Sequence, residues 1–244
     1  MNVMESFKLT GRVAVVTGGA GLFGRQIVEA LAEAGAHVVM ASRAVDKLQA
    51  VADELASQGR SASAESLDQG DPASIAALHD AVLEKHGRVD VLVNNAVLRR
   101  MKGWDDQLDA FRQSMEVNVT GVFEMTRQFG AAMAQRGAGS IVNIGSIQGM
   151  VGPAPALYEG LGMGTVPDYF MHKGAMRQLT RYAAAELGPA GVRVNTLSPG
   201  GFYNQQPEAF VRRYNERTFL GRMANETDLK GAIVFLRSEE RRVG

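Results

Sequence analysis

Cysteine is absent from the 244 residues. That excludes disulfides, thiolate nucleophiles and Cys-ligated zinc. Net charge is absent as well: 26 Lys and Arg balance 26 Asp and Glu. A dedicated nucleic-acid binder would show a basic excess, so no nucleic-acid partner is expected. The same balance gives little electrostatic protection against self-association. Histidine is scarce. His37, His79, His86 and His172 make no HExxH-type ligand pair, and no metal site is expected. No apolar run approaches the length of a membrane span, and the opening MNVMESFKLTGR has no apolar signal-peptide core. A soluble, cytoplasmic protein with no membrane partner is expected.

What is present is an alternation of apolar strand-like runs with helical periods. RVAVVT (12–17), GAHVVMAS (35–42), SASAESLD (61–68), VDVLVNNA (89–96), SIVNIGS (140–146) and VRVNTLSPGG (192–201) read as six strands, the third weak. Between them, 22–33, 45–57, 106–136 and 168–187 carry helical spacing, and Asp71-Pro72 opens a further helix with an N-cap and a first-turn proline. Residues 106–136 read as one long helix with Phe111, Met115, Val119, Val122 and Phe123 on a stripe. Strands too apolar to be half exposed indicate an α/β fold, a doubly wound parallel sheet covered on both faces. No repeat, linker or composition shift marks a second domain. Ligands bind such sheets beyond the carboxyl ends of the strands. Those ends are TGGAG, ASR, SLD, NNA, GS and SPGG, all glycine, small polar or hydrogen-bonding residues.

Each end suggests a role. In TGGAGLFG (17–24), Gly18, Gly21 and Gly24 permit a tight turn and let a pyrophosphate approach main-chain N–H groups at the positive end of a helix. Ser42 and Arg43 end the second strand where a carboxylate would repel a 2′-phosphate. A hydroxyl and a guanidinium suit that phosphate, so NADP is expected over NAD. Asp68 can accept from an adenine amino group or simply enter a helix. Asn94 and Asn95 can tie neighbouring strands together or contact ligand. Asn118 sits inside a helical pattern it does not favour. Tyr169 and Lys173 lie four apart on a helix and therefore side by side. An ammonium close to a phenol favours the phenolate and moves it toward the range of a general acid and base. Ser146, at the end of the fifth strand, can hydrogen-bond a substrate oxygen.

From about residue 8 to about 236 the chain resembles the short-chain dehydrogenase/reductase family: TGGAGLFG, NNA, Asn118, Ser146, YFMHK and SPGG occur in that family's order. The resemblance implies a single-domain Rossmann fold and an NAD(P)-dependent oxidoreductase with an Asn118–Ser146–Tyr169–Lys173 tetrad. Tyr169 would move the proton, Ser146 steady the substrate oxygen, Lys173 bind the nicotinamide ribose, and Asn118 hold a relay water. It further implies cofactor contacts from Leu22, Ala96, Pro199 and Gly200, and a homodimer through the helix at 106–136 and the one carrying Tyr169.

Four features depart from the family's usual pattern. Leu22 replaces the usual middle glycine, Val97 stands where NNAG has glycine, and Asn204 replaces a threonine. Ser146 and Tyr169 are also unusually far apart. The extra run GPAPALYEGLGMGTVPD resembles insertions in members related to gluconate dehydrogenases and to surface-sugar-biosynthesis oxidoreductases, acting on sugars, sugar acids or polyols. Gln148, Tyr158 and Glu159 are then expected to face the substrate; Arg99, Arg100 and Lys102 follow NNA near the same mouth and are expected to be an ordinary solvated cluster, the alternative being that they draw in an anion. The chain ends RSEERRVG where the family has a seventh strand. That strand is expected to be missing, 237–244 to be a foreign tail, the sixth strand to form an exposed edge, and a tetramer to be doubtful. The alternative from another class is a dinucleotide-binding protein without turnover. A sugar-nucleotide epimerase or dehydratase fits the glycine spacing but needs a larger C-terminal region.

Overall fold

Residues 2–237 are described by the computed structural model. In chain order the elements are α1 (Val3–Ser6), β1 (Val13–Thr17), α2 (Leu22–Glu33), β2 (His37–Ser42), α3 (Val45–Ser57), β3 (Ala62–Ser66), α4 (Pro72–His86), β4 (Val91–Asn94) and α5 (Leu108–Met115). A π-helical turn, Glu116–Thr120, leads into α6 (Gly121–Gln135). Then come β5 (Gly139–Ile144), α7 (Pro167–Leu187), β6 (Val192–Leu197), α8 (Glu208–Asn215) and α9 (Lys230–Arg237).

The six strands form one parallel sheet in the order β3-β2-β1-β4-β5-β6. β1 lies at the centre, with Val15 opposite Val39 of β2 and Leu92 of β4. Strand alternation sends Ala14, Val16, Val38 and Met40 to the face covered by α2, α3 and α9. Val13, Val15, Val39 and Ala41 go to the face covered by α4, α6 and α7. Each fully buried valine or methionine among them contributes about 1.5–3 kcal/mol through removal from water, and each alanine less. The chain order reverses between β1 and β4, which opens a crevice at their carboxyl ends.

β3 is the weak strand expected: its residues are only partly buried because it is a sheet edge. Asp71 caps α4 by accepting from the Ala73 amide at 2.9 Å, with Pro72 in the first turn. The long helix expected over 106–136 is present as one run from Leu108 to Gln135, α5 and α6 being joined through the π turn without leaving helical backbone. The sequence did not show that it widens by a π turn, which carries Asn118, or that Phe123 on the expected apolar stripe is exposed. α8 and α9 were not anticipated.

Among the described residues no strand pairs with the outer side of β6. The expected tail lies outside the described residues except for Arg237. That residue ends α9, is buried, and donates to the Phe7 and Lys8 carbonyls at 3.1 and 3.2 Å. No helix among the described residues is long and apolar enough to cross a membrane.

Candidate active site

A cleft of about 820 Å³ runs across the carboxyl ends of the strands. Its floor is the turn between β1 and α2. Gly18 adopts φ +70°, and a Cβ on Gly24 would lie 2.1 Å from the Gly18 carbonyl oxygen, so neither position accepts a side chain without moving the turn. Gly21 starts α2 without any side-chain cap, leaving the helix's first N–H groups open toward the cleft. Leu22, in the place of the usual glycine, is exposed and lines the same wall.

The NNA stretch acts on this turn rather than only beside it. Asn95 donates through Nδ2 to the carbonyls of Thr17 (3.0 Å) and Gly18 (3.1 Å). The Thr17 hydroxyl accepts from the amides of Asn95 and Ala96 at 3.1 and 2.9 Å. Asn94 is wholly structural: its Nδ2 donates to Asn143 Oδ1 at 2.8 Å and to the Thr126 hydroxyl at 3.2 Å in the core.

At one end of the cleft lie Ser42, Arg43 and Asp68. The Ser42 hydroxyl accepts from the Ala44 amide, and Asp68 Oδ1 accepts from the Gly70 amide at 3.0 Å. Lys47 joins them from the first turns of α3. It was missed in the sequence, although its place four residues after Arg43 signals a shared side. Neither Arg43 nor Lys47 forms an ion pair among the described residues.

At the other end, β5 and β6 stay paired past their last strand residues: the Gly145 amide donates to the Leu197 carbonyl and the Ile147 amide to that of Pro199. Ser146, between them, therefore faces the cleft, its hydroxyl accepting from the Gln148 amide at 3.1 Å. Pro199 and Gly200 complete this wall. Tyr169 and Lys173 project from the start of α7. Lys173 is 4% exposed and donates through Nζ to the Ile144 carbonyl at 2.5 Å. Burial, with the Arg99 guanidinium adding to it, lowers its pKa to about 8.

Arg99 is the one member of its expected cluster that lines the cleft. Its guanidinium sits 4.7 Å from the centroid of the Tyr169 ring. Arg100 instead donates to Gln113, and neither Arg100 nor Lys102 reaches the cleft.

Asn118 is buried behind the cleft wall rather than lining it. Its Oδ1 accepts from the Leu98 amide at 2.8 Å. Its Nδ2 donates to the Leu98 carbonyl at 2.7 Å and to the Ser114 hydroxyl at 3.1 Å. The π turn thus aims an amide at the loop that carries Arg99. Gln148 and Tyr158 line the cleft at the end that holds Ser146 and Tyr169. Glu159 does not: its side chain is exposed outside the cleft, and its carbonyl accepts from Arg213.

Two further groups flank Tyr169 unannounced. Asp168 and His172 are 0% and 1% exposed, and none of their side-chain polar atoms has a hydrogen-bond partner among the described residues. The His172 ring stands edge-on to Tyr169 with centroids 5.0 Å apart. Burial, then Lys173 and Arg99, lower its pKa to about 3.

With a glycine turn, a helix N-terminus, a free basic end and a Ser–Tyr–Lys wall in one crevice, comparison with known proteins is decisive. A family model for short chain dehydrogenases matches residues 12–210. The chain belongs to that family. It is 35% identical to a galactitol 2-dehydrogenase (L-tagatose-forming) of Cereibacter sphaeroides, over 98% of this chain and 92% of the relative. It is also 35% identical to a 3-alpha-(or 20-beta)-hydroxysteroid dehydrogenase of Mycobacterium tuberculosis, over 96% of this chain and 85% of that one. A gluconate 5-dehydrogenase of Burkholderia cenocepacia, solved in complex with NADP and tartrate, superposes with a TM-score of 0.87 at 31% identity, covering 97% of this chain and 92% of its own. The chain is thus a short-chain dehydrogenase/reductase, an oxidoreductase on a Rossmann-type sheet.

Proposed function

We propose that this oxidoreductase transfers hydride between NADP and a carbinol or carbonyl carbon of a sugar acid, sugar or polyol, with Tyr169 as general acid and base. The observation that carries the reading is the substrate end of the cleft, where Ser146, Tyr169 and Lys173 share one wall and the unpaired Arg99 guanidinium lies over the phenol. Arg99, with the Ser146, Gln148 and Tyr158 side chains, offers hydrogen-bonding groups that a hydroxylated or carboxylated substrate uses more fully than a steroid. The tartrate in the gluconate 5-dehydrogenase supports the same choice.

The residues present fit the dinucleotide. The open N-terminus of α2 and the glycine turn suit a pyrophosphate, and Asp68 suits an adenine amino group. Ser42, Arg43 and Lys47 suit a 2′-phosphate, which favours NADP over NAD. When bound, NADP supplies the hydride acceptor or donor. In oxidation Tyr169 would take the carbinol proton, and in reduction it would return one. Ser146, held through its bond to Gln148, would donate to the substrate oxygen. Lys173 would hold the nicotinamide ribose and place a positive charge one helical turn from the phenol. Asn118 fixes the Leu98 backbone and, in the family's mechanism, holds the relay water. Exposed Phe123 of α6 and Met171 and Tyr182 of α7 support a homodimer through those helices.

Steady-state assays with D-gluconate, galactitol and a 3α-hydroxysteroid, each with NADP and NAD, test the reading. NADP reduction with gluconate or galactitol is the expected result. Turnover of the steroid alone contradicts the substrate class. Cofactor binding with no turnover of any of the three favours the non-turnover alternative.

A further inference from the structure

The long run between Ser146 and Tyr169 has little to hold it in place. Residues 151–156 are exposed, and Gly160 and Gly162 take positive φ in open space. Yet Tyr158, in the middle of this run, is a half-buried wall of the substrate end. What keeps it there comes from α8. In EAFVRRYN, Phe210, Arg213 and Tyr214 lie at i, i+3 and i+4 and therefore on one helix face. That face meets the insertion.

Arg213 Nη1 donates to the Glu159 carbonyl at 2.7 Å and approaches the Leu157 carbonyl at 3.5 Å, the two residues on either side of Tyr158. The Tyr158 ring packs on buried Phe210 at 5.4 Å between centroids, and Phe210 on Tyr214 at 5.9 Å. The Tyr214 hydroxyl accepts from the Gly201 amide at 2.5 Å, and a Cβ on Gly200 would come within 2.9 Å of that oxygen. At the other end the Tyr158 hydroxyl lies 3.5 Å from Gln148 Nε2, in the turn that Ser146 caps. The contacts run without a gap from the Ser146 turn through Gln148, Tyr158, Phe210 and Tyr214 to the loop after β6.

We propose that Arg213 is a positioning residue for substrate selection: by holding the carbonyls on both sides of Tyr158, it fixes the Tyr158–Gln148 pair as the group that reads a substrate hydroxyl. This rests on the oxidoreductase reading above. A half-buried polar pair that a bound substrate shuts off from water discriminates between a substrate that bonds to it and one that does not. The discrimination requires the pair to be held, because a wall free to swing away leaves no unsatisfied group behind. The ring stack alone does not fix the backbone. The guanidinium does: its Nη1 reaches the carbonyls on both sides of Tyr158, and its rigid plane holds that donor in place where a flexible ammonium would hold it less well.

The test compares wild type, Arg213→Ala, Arg213→Lys, Tyr158→Phe and the Ala/Phe double variant. Amide hydrogen exchange over 157–161, the NADPH dissociation constant, and KM and kcat for gluconate and galactitol are measured. Arg213→Ala should raise exchange and KM each by roughly 10-fold, the equivalent of one hydrogen bond. NADPH affinity should stay within about twofold and kcat within about threefold. Arg213→Lys should fall between, and Tyr158→Phe should raise KM without changing exchange. The double variant should be no worse in KM than Arg213→Ala, because the two residues act as one unit. Unchanged exchange in Arg213→Ala, or fully additive KM effects, would overturn the proposal. A wild-type protein that turns over neither substrate would sink the functional reading instead, and the exchange comparison would then decide on its own whether Arg213 holds Tyr158.

Discussion

At the amino ends of the strands, Asp90 accepts from Arg88, from Arg12 at 3.0 Å and from the Val13 amide at 2.8 Å, with Arg136 3.6 Å away. Burial alone would raise its pKa, but these donors take it below the usual carboxylate range. At the carboxyl ends of the same strands, Lys173, Arg99, Arg43 and Lys47 face the cleft, and none has a carboxylate partner among the described residues. One end of the sheet satisfies its own charges; the other holds cations apart from anions. Paired charge at the first end is structure. Unpaired cations in a cleft, beside an uncapped helix N-terminus, are complementarity to a ligand that carries negative charge.

The largest effect expected of breaking this contrast falls on chemistry. Tyr169→Phe should lower kcat by about 10³-fold or more, the scale of a lost general acid and base, with NADPH affinity within about twofold. Full activity in that variant would remove Tyr169 from the proton transfer.

Next comes the acid limb of stability. The folded pKa of His172, about 3, lies below its ordinary 6.5. Between those values the unfolded chain binds a proton that the folded chain does not, so stability falls as pH falls. Over the whole window the loss is on the order of 5 kcal/mol. His172→Phe should keep a ring against Tyr169 and flatten that limb in denaturant titrations at pH 6.5 and lower. An unchanged slope would show that His172 titrates freely.

Replacing Arg43 and Lys47 together by alanine should weaken NADPH binding by roughly 10- to 100-fold, the range for lost charge-assisted bonds, and leave NADH within about twofold. Equal losses for both cofactors would place the two cations elsewhere than at the 2′-phosphate. The smallest expected change in function belongs to the other end of the sheet. Asp90→Asn should cost about 2 kcal/mol of stability by stranding its guanidiniums, seen as a lower Tm, while NADPH affinity stays unchanged. A large loss of binding in that variant would erase the contrast between the two ends.

Much of this was legible in the chain because it is local. The strands announce themselves as apolar runs, and each ends on a residue that the fold then turns into the cleft. Tyr169 and Lys173 are neighbours by helical spacing alone. What stayed hidden depends on distant contacts. Asn118 is a poor helix former, but the apolar spacing through 106–136 continues across it, and spacing alone does not say that the helix widens there. The contacts that accompany the π turn lie outside it: Gly121 packs so closely on the Gln69 carbonyl that a Cβ would lie 1.9 Å from it, and Asn118 bonds to the Leu98 backbone. The role of α8 was hidden for the same reason, because FVRRY means little until the insertion it grips is in place. Glu159 was misjudged beside Tyr158, since in a loop consecutive side chains need not share a face.

The most direct test of the account is a fluorescence titration of the protein with NADPH and with NADH. Saturable binding of both, with NADPH the tighter, is the predicted result. It would establish the carboxyl-end cleft as the cofactor site and its basic end as the source of preference. Failure to bind either would contradict the account at its centre and would take the assigned roles of Tyr169 and Lys173 with it.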